Sequence, residues 1–544
     1  MLTYSKDTKP KRRDRPWLLF LLVVIWISGT AFFHSPWEPY EPFVLAVVKG
    51  ILTNNSWVVP YVAHAPYLEI QPFYFWIFAA ILKLFSISNT ASIANSIRII
   101  NTLIIFSIVF LTGKTGSKLS AYKNGRTTIL ILVSTIGFIN NAYQLSPNIL
   151  ILLGFSLYIY ALERCDELPG ISGCLLFIGL FFISISFTFE FIAIAVFLLL
   201  FIPMLSKGWR NSNYLYTVAT GFSLFAVVFL LYGYQLFHVN SEFFDAWRFR
   251  YSVLSVWQNY HFEQRLIQVI SVLMWYIMPG WILVFWTIYK KKSTLFKDKM
   301  NVLNLNLILL ILIFAVFSTR NIESNLFPIV LPIAFIGSLE IDSIRISVGA
   351  LFNWFSIFIF GLLGLLIWGI YFIFIFNYPF NIAGYLLSLS QNFHYNFNIW
   401  QLLFAIIITI IWLFMITRRH IRGREVVSNW ASGTTFVLIL FMALCLPWFD
   451  AVLSFKDIVH SSVKYLNKNQ CVATNGNYSV QSALWYYYEN VSLMPSFLNI
   501  NYTVCNQAVI ATDNISDIDI NQWNILWVGH RPIDKKYYYI IKHK

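Results

Sequence analysis

A succession of long apolar runs constrains this chain more than any other feature. A helix needs about 20 residues to cross the hydrocarbon core of a bilayer. Runs such as "WLLFLLVVIWISGTAFF" (17–33) and "GALFNWFSIFIFGLLGLLIWGIYFIFIF" (349–376) supply that length with no charge inside them. Runs read in this way cover 17–33, 96–112, 127–143, 148–162, 170–186, 190–205, 213–237, 266–289, 303–318, 325–340, 349–376, 398–417 and 429–448. Only 11% of residues are charged and 58% are hydrophobic, whereas charged residues make up about a quarter of a soluble domain. The expected class is an α-helical polytopic membrane protein with about thirteen spans.

Charge then orients the spans. The formal net charge of +14 would suggest a nucleic-acid partner in a soluble protein, but here the basic residues are divided among short loops, as the positive-inside rule requires. Nucleic acid is therefore excluded. The N-terminal run is long and bulky residues follow it, so it reads as an uncleaved first span with a cytoplasmic N-terminus. The run 73–88, "FYFWIFAAILKLFSIS", is short and carries Lys83. Counting it as a span would put Lys114, Lys118, Lys123 and Arg126 outside. As an interfacial or re-entrant helix it leaves every strong basic cluster inside.

Two units follow. Residues 1–448 form the multi-span domain, with a long first outer loop (34–95) that contains interfacial helices. Residues 449–544 read as a soluble, outward-facing α/β domain, with an amphipathic helix near 455–467 and strands such as "QCVATNG" and "ILWVGH". Cys165, Cys174 and Cys445 lie in or beside spans. Cys471 and Cys505 are the pair in the soluble tail, candidates for a disulfide in an oxidising compartment. No Cys/His cluster has zinc-site spacing, and no phosphate-cradling Walker or G-x-G-x-x-G loop occurs, so a nucleotide-driven pump is not expected. No cofactor is expected either; the residues do not decide a divalent metal.

The informative polar residues lie in the first outer loop: Glu38, Tyr40, Glu41, Lys49, His64, Tyr67, Glu69 and Gln71. Here "WEPYEP…VKGIL…WVVP…PYLEIQP…YFW" resembles the signature of the GT-C class of bacterial lipid-linked-sugar glycosyltransferases. The likeness is to the group of the aminoarabinose–lipid A transferase and the protein O-mannosyltransferases (glycosyltransferase families 39 and 83). Glu41, Trp57 and Glu69 fall at that group's spacing. "FFDAWRF" (243–249), "WYIMPGW" (275–281) and "FSTRNIESNLFPIVLP" (317–332) are looser matches.

The resemblance implies a bacterial inner-membrane transferase with interfacial helices in the first outer loop and a periplasmic C-terminal domain. It would move a sugar from an undecaprenyl-phosphate carrier to lipid A, another envelope glycan or a protein, with the energy carried by the lipid. Glu41, with Glu38 and Tyr40 beside it, falls where the group places an acidic residue that acts as base or orients the acceptor. Tyr67, Glu69, Gln71, Asn148, Arg248 and Arg320 fall where it contacts substrate.

The chain also departs from the pattern. Tyr40 stands where the group has its first-loop Asp, and Asn148 stands in place of a second Asp. Ile70 replaces the loop lysine, Glu190 marks the changed turn "FTFEF", and Arg320 lies near a missing lysine. Each residue has a plainer reading. Glu41 can stabilise the start of a helix over 42–52, Glu69 can bond within its loop, and Tyr67 can belong to an interfacial aromatic belt. Arg248 can meet lipid headgroups, and Asn148 and Glu190 can cap helices. His34 and His64 have no evident partner. The rival functions are a non-catalytic relative that binds lipid-linked sugar, and a lipid or sugar transporter.

Overall fold

The computed structural model describes residues 16–29, 34–63, 65–67, 70–87, 89–119, 125–184, 190–250, 262–318, 321–390, 393–417, 424–467, 470–475, 480–496, 505–514 and 522–544. The first apolar run forms α1 (Pro16–Gly29). After a turn through 34–40 the chain enters α2 (Glu41–Asn54), with Pro42 in its first turn, where a missing N–H costs nothing. Asn55 closes α2 in the left-handed region (φ 53°), donating its N–H to the Ile51 carbonyl at 3.0 Å. A small antiparallel pair, β1 (Tyr61–Val62) and β2 (Ala65–Pro66), leads to α3 (Pro72–Leu84). At 13 residues, α3 is about 20 Å long, short of the ~30 Å hydrocarbon core. That length suits the interfacial helix expected over 73–88.

The helices that follow are α4 (Thr90–Leu119), α5 (Gly125–Ser134), α6 (Ile136–Ala142), α7 (Asn148–Arg164), α8 (Pro169–Ser184), α9 (Glu190–Leu205), α10 (Ser212–Val239), α11 (Ser241–Arg250), α12 (Phe262–Tyr276) and α13 (Gly280–Lys291). They continue through α14 (Lys299–Phe317), α15 (Ile322–Leu326), α16 (Val330–Ser338), α17 (Ile346–Phe376), α18 (Phe380–Ser388), α19 (Ile399–Ile416) and α20 (Arg424–Leu444). Among the described residues six helices are long and apolar enough to cross a membrane singly, or seven if the bent pair α12–α13 is one span. That is fewer than the thirteen runs read as crossings; further apolar helices run only 10–17 residues.

Two runs are not the straight spans expected. The run 266–289 bends by 94° between α12 and α13, where Pro279 cannot continue the helical ladder. The run 127–143 breaks at Thr135, which adopts an extended conformation (ψ 131°) between α5 and α6. Its hydroxyl donates to the Leu132 carbonyl at 2.7 Å.

The outward faces of the long helices are apolar. Leu351, Trp354 and Leu365 on α17 are each at least 70% exposed. Such a belt is stable in lipid and not in water, so the chain is a multi-pass membrane protein. Inside, α7 and α8 cross with Gly154 against Gly179. A Cβ on Gly154 would lie 2.8 Å from the Gly179 carbonyl oxygen. The crossing therefore needs glycine, the small-residue device that brings membrane helices together.

Beyond α20 come α21 (Leu446–Leu453) and α22 (Lys456–Val463), then β3 (Val472–Asn475), α23 (Val480–Glu489), β4 (Leu493–Ser496), β5 (Gln507–Thr512), β6 (Trp523–His530) and β7 (Tyr537–His543). The strand order is β4-β3-β5-β7-β6, parallel across β4-β3-β5 and antiparallel through β7 and β6. One face of the sheet packs with Val459 and Trp485, and the other buries Ala473, Ile510 and Trp523. The helix expected near 455–467 is α22, and the two quoted strand segments are β3 and β6. Cys471 and Cys505 are joined as a disulfide, with their Cα atoms 5.0 Å apart.

This small domain rests on the first loop. Lys49 of α2 donates to the Tyr486 and Tyr487 carbonyls of α23 at 3.0 and 2.7 Å. The Tyr487 hydroxyl donates to the Thr90 carbonyl at 2.7 Å.

Candidate functional site

Glu41 is the first residue of α2, yet it is only 2% exposed. A carboxylate serving only the helix dipole would sit in water, where it contributes about 0.3–1 kcal/mol. Instead, donors from two other parts of the chain converge on its Oε2. The Trp37 backbone N–H lies at 3.1 Å and Arg98 Nη2 at 3.2 Å, with His34 Nδ1 3.7 Å away. None of these bonds reaches Oε1.

Arg98 lies near the start of α4, within a candidate span (Ser92–Leu119), and is itself 2% exposed. It also donates to the Ser35 carbonyl at 3.4 Å and lies 3.3 Å from His34 Nδ1. The sequence reading missed Arg98 because it is one charge inside the run taken as span 96–112. The available signal was the rule that an ionisable residue at membrane depth is functional by default.

His34, left without a partner in the sequence reading, belongs to this cluster. Its ring stacks on Trp37 with centroids 3.7 Å apart. Burial holds the His34 imidazole below its ordinary value; Glu41 opposes the shift and Arg98 adds to it.

The loop itself is pinned by Asp450 of α21. One oxygen, Oδ1, accepts from the Ser35 N–H at 2.9 Å, from Trp37 Nε1 at 2.9 Å, and from the Ser35 hydroxyl. Asp450 was also missed, since nothing local in "LPWFDAV" indicates a partner more than four hundred residues away.

The other expected residues are spread around this centre. Glu38 is exposed and pairs with Arg531 at 3.2 Å, so it faces the C-terminal domain and not the Arg98 pair. Tyr40 is half-buried at the helix start, and its carbonyl accepts the Val44 N–H at 3.1 Å. Tyr67 is buried and stacks on Phe43 with centroids 5.3 Å apart. Gln71, also buried, accepts from Trp247 Nε1 at 3.1 Å, tying the start of α3 to α11. The Arg248 side chain is 72% exposed among the described residues and pairs with Asp245 one turn away. Glu69, His64 and Arg320 lie outside the described residues. Glu190 is buried at the start of α9.

Asn148 opens a second polar cluster. It is buried at the start of α7 and donates to Asn141 Oδ1 at 3.0 Å and Ser324 Oγ at 3.3 Å. Asn141 in turn donates to the Tyr276 hydroxyl at 3.0 Å, and that hydroxyl donates to the Glu323 carbonyl at 3.0 Å. Asn148 thus links α6, α7 and α15, which is more than a helix cap. Its Oδ1 is buried with no partner among the described residues. Among the described residues no group of three or more His, Cys, Asp or Glu is placed to hold a metal ion.

Chemically, the first cluster offers one buried carboxylate with donors held on Oε2 and no bond to Oε1 among the described residues. A buried ion pair is often no more stable than apolar residues of equal volume, so stability alone is a poor account of Glu41 and Arg98.

No protein-family model matches the chain, and no curated protein matches it. Solved structures do. ArnT from Cupriavidus metallidurans bound to undecaprenyl phosphate superposes with a TM-score of 0.72 at 12% identity, covering 97% of this chain and 98% of that one. The apo state of the same protein gives 0.69, with the same identity and coverage. This chain therefore has the GT-C fold over nearly its whole length.

Proposed function

We propose that this protein is a membrane glycosyltransferase that moves a sugar from an undecaprenyl-phosphate carrier to an acceptor at the outer face of a bacterial inner membrane. The observation that carries the reading is Glu41. It is a sealed carboxylate held at Oε2 by Arg98 and Trp37, in a fold shared with a structure bound to undecaprenyl phosphate. In this reading Oε1 of Glu41 receives or orients the acceptor proton, and Arg98 keeps the carboxylate turned toward the substrate. The donor brings its own leaving group, so no nucleotide is needed. The acceptor is lipid A, another envelope glycan or a protein. The N-terminus is cytoplasmic, and the domain 449–544 lies on the acceptor side, docked on the first loop.

The test is mass spectrometry of envelope lipids, glycans and proteins from a deletion strain complemented with wild type, Glu41→Gln or Arg98→Met. The reading expects one pentose-, hexose- or hexosamine-sized adduct that disappears on deletion. Wild type restores it, and both variants fail to. An unchanged profile on deletion refutes transfer.

A second reading, a non-catalytic relative that binds lipid-linked sugar, is favoured by Tyr40 and Asn148, which carry no carboxylate where the resemblance places one. It expects undecaprenyl phosphate to bind the purified protein while the envelope profile is unchanged.

A further inference from the structure

Away from the Glu41 site, an apolar groove opens where the bent pair meets α17 and α20. Ile282, Leu283, Trp286, Tyr289, Val348 and Phe352 line it, and its volume is about 300 Å³. Its wall is open rather than sealed: Phe285 is 65% and Tyr289 61% exposed. Space of this kind on the lipid-facing side of a membrane protein is filled by hydrocarbon chains.

One end of the groove is strongly basic. Lys290 lies 5.4 Å from the Trp286 ring centroid, with Lys291 and Lys292 next in sequence. Arg345 follows Ile344, which lines the groove, and Arg424 precedes Val426, which also lines it. Among the described residues, Glu340 pairs with Lys291 at 4.0 Å and Asp342 with Arg424 at 2.9 Å. Lys290, Lys292 and Arg345 are exposed.

We propose that this groove is a binding site for an anionic glycerophospholipid, its acyl chains lying along α13 and α17 and its phosphate held by Lys290, Lys292 and Arg345. Hydrocarbon gains little by leaving bulk lipid for a protein groove, so selectivity falls to the headgroup. Each cation close to an anionic lipid contributes about a fivefold preference. With some of this lost to screening, the site should favour phosphatidylglycerol over phosphatidylcholine on the order of tenfold.

The test is native mass spectrometry of the full chain, released from detergent in the presence of either lipid. Wild type should retain phosphatidylglycerol about tenfold better than phosphatidylcholine. Lys290→Gln/Lys292→Gln/Arg345→Gln should level the two by weakening only the anionic lipid. Val348→Trp, which fills the groove, should reduce retention of both. Equal retention of the two lipids by wild type overturns the proposal. So does a preference that survives the charge variant, or retention unmoved by Val348→Trp in a protein whose Tm matches wild type. None of these outcomes depends on whether the protein transfers sugar.

Discussion

Replacing Lys49 with methionine should loosen the C-terminal domain from the first loop. The lysine is 6% exposed and caps the end of α23 through two carbonyls. Its ammonium also lies 5.4 and 5.9 Å from the Tyr486 and Tyr487 ring centroids. Those carbonyls differ in what they keep. The Tyr486 carbonyl still receives the Asn490 N–H at 3.2 Å, whereas the Val491 N–H that would serve Tyr487 goes to the Trp485 carbonyl. Methionine therefore leaves one carbonyl, that of Tyr487, without its donor, a cost of about 1–3 kcal/mol for a buried acceptor. Loss of the cation–π contacts adds about 0.5–1 kcal/mol. Relief from burying an ammonium offsets part of this, and methionine fills the space of the lysine stem. The net expectation is a destabilisation of about 2 kcal/mol.

Hydrogen exchange of the purified protein, read by mass spectrometry, measures this directly. Amides of α23 and of the C-terminal half of α2 should exchange about thirtyfold faster, while those of α17 and α20 do not change. The pH profile gives an independent check. Burial lowers Lys49 to about 8 from its ordinary 10.5, with Glu489 opposing the shift. Between those values the unfolded chain holds a proton that the folded chain has lost. Docking stability should therefore rise with pH across that window and stay flat below it. The methionine variant should lose that rise. Exchange unchanged within twofold, or a pH rise that persists in the variant, refutes the reasoning.

Other perturbations separate the remaining contacts. Glu38→Gln removes one half-exposed ion pair and should cost no more than about 1 kcal/mol in thermal unfolding. Arg531→Met breaks bonds to Asp534 and to the Leu453 carbonyl at 2.6 Å and should cost about 3 kcal/mol; equal effects of the two would contradict their different burial. Asn148→Asp forfeits the donations to Asn141 and Ser324 and should destabilise α6 and α7 by about 2 kcal/mol; a variant as stable as wild type would show that the cluster already tolerates a carboxylate. Replacing both Cys471 and Cys505 with serine opens a loop closed across 34 residues. It should cost the C-terminal sheet about 3–4 kcal/mol, seen as faster exchange in β3 and β5 and none in the membrane helices.

Hydropathy and loop charge made the membrane class, a short helix in the first loop and the α/β tail legible, because each depends on local composition. The breaks at Thr135 and Pro279 were less so. Their runs are apolar throughout, and a hydropathy average does not register where a backbone turns, although "MPG" at 278–280 is a breaker that reasoning from proline finds. The candidate site was half legible. Glu41 stood out as an acid among aromatics, but its partners did not. Arg98 was hidden by the apolar residues around it, and Asp450 by its distance along the chain. Glu38 and Arg248 looked equivalent to Glu41 as charges in outer loops; only burial separates them, and burial is a property of the whole packing.

The ties that fix the first loop also order its manufacture. Ser35 meets Asp450 across 415 residues, Lys49 meets Tyr487 across 438, and Glu38 meets Arg531 across 493. While the last spans are still being made, the loop bearing Glu41 is held by Arg98 of α4 but lacks its ties to Asp450, Tyr487 and Arg531, so it is fully fixed only once the tail has folded. A chain truncated just after the final span would keep the Arg98–Glu41 pair but lose the ties to Asp450, Tyr487 and Arg531. Such a product should pass a membrane-insertion assay and yet show faster hydrogen exchange in α2 than the full chain.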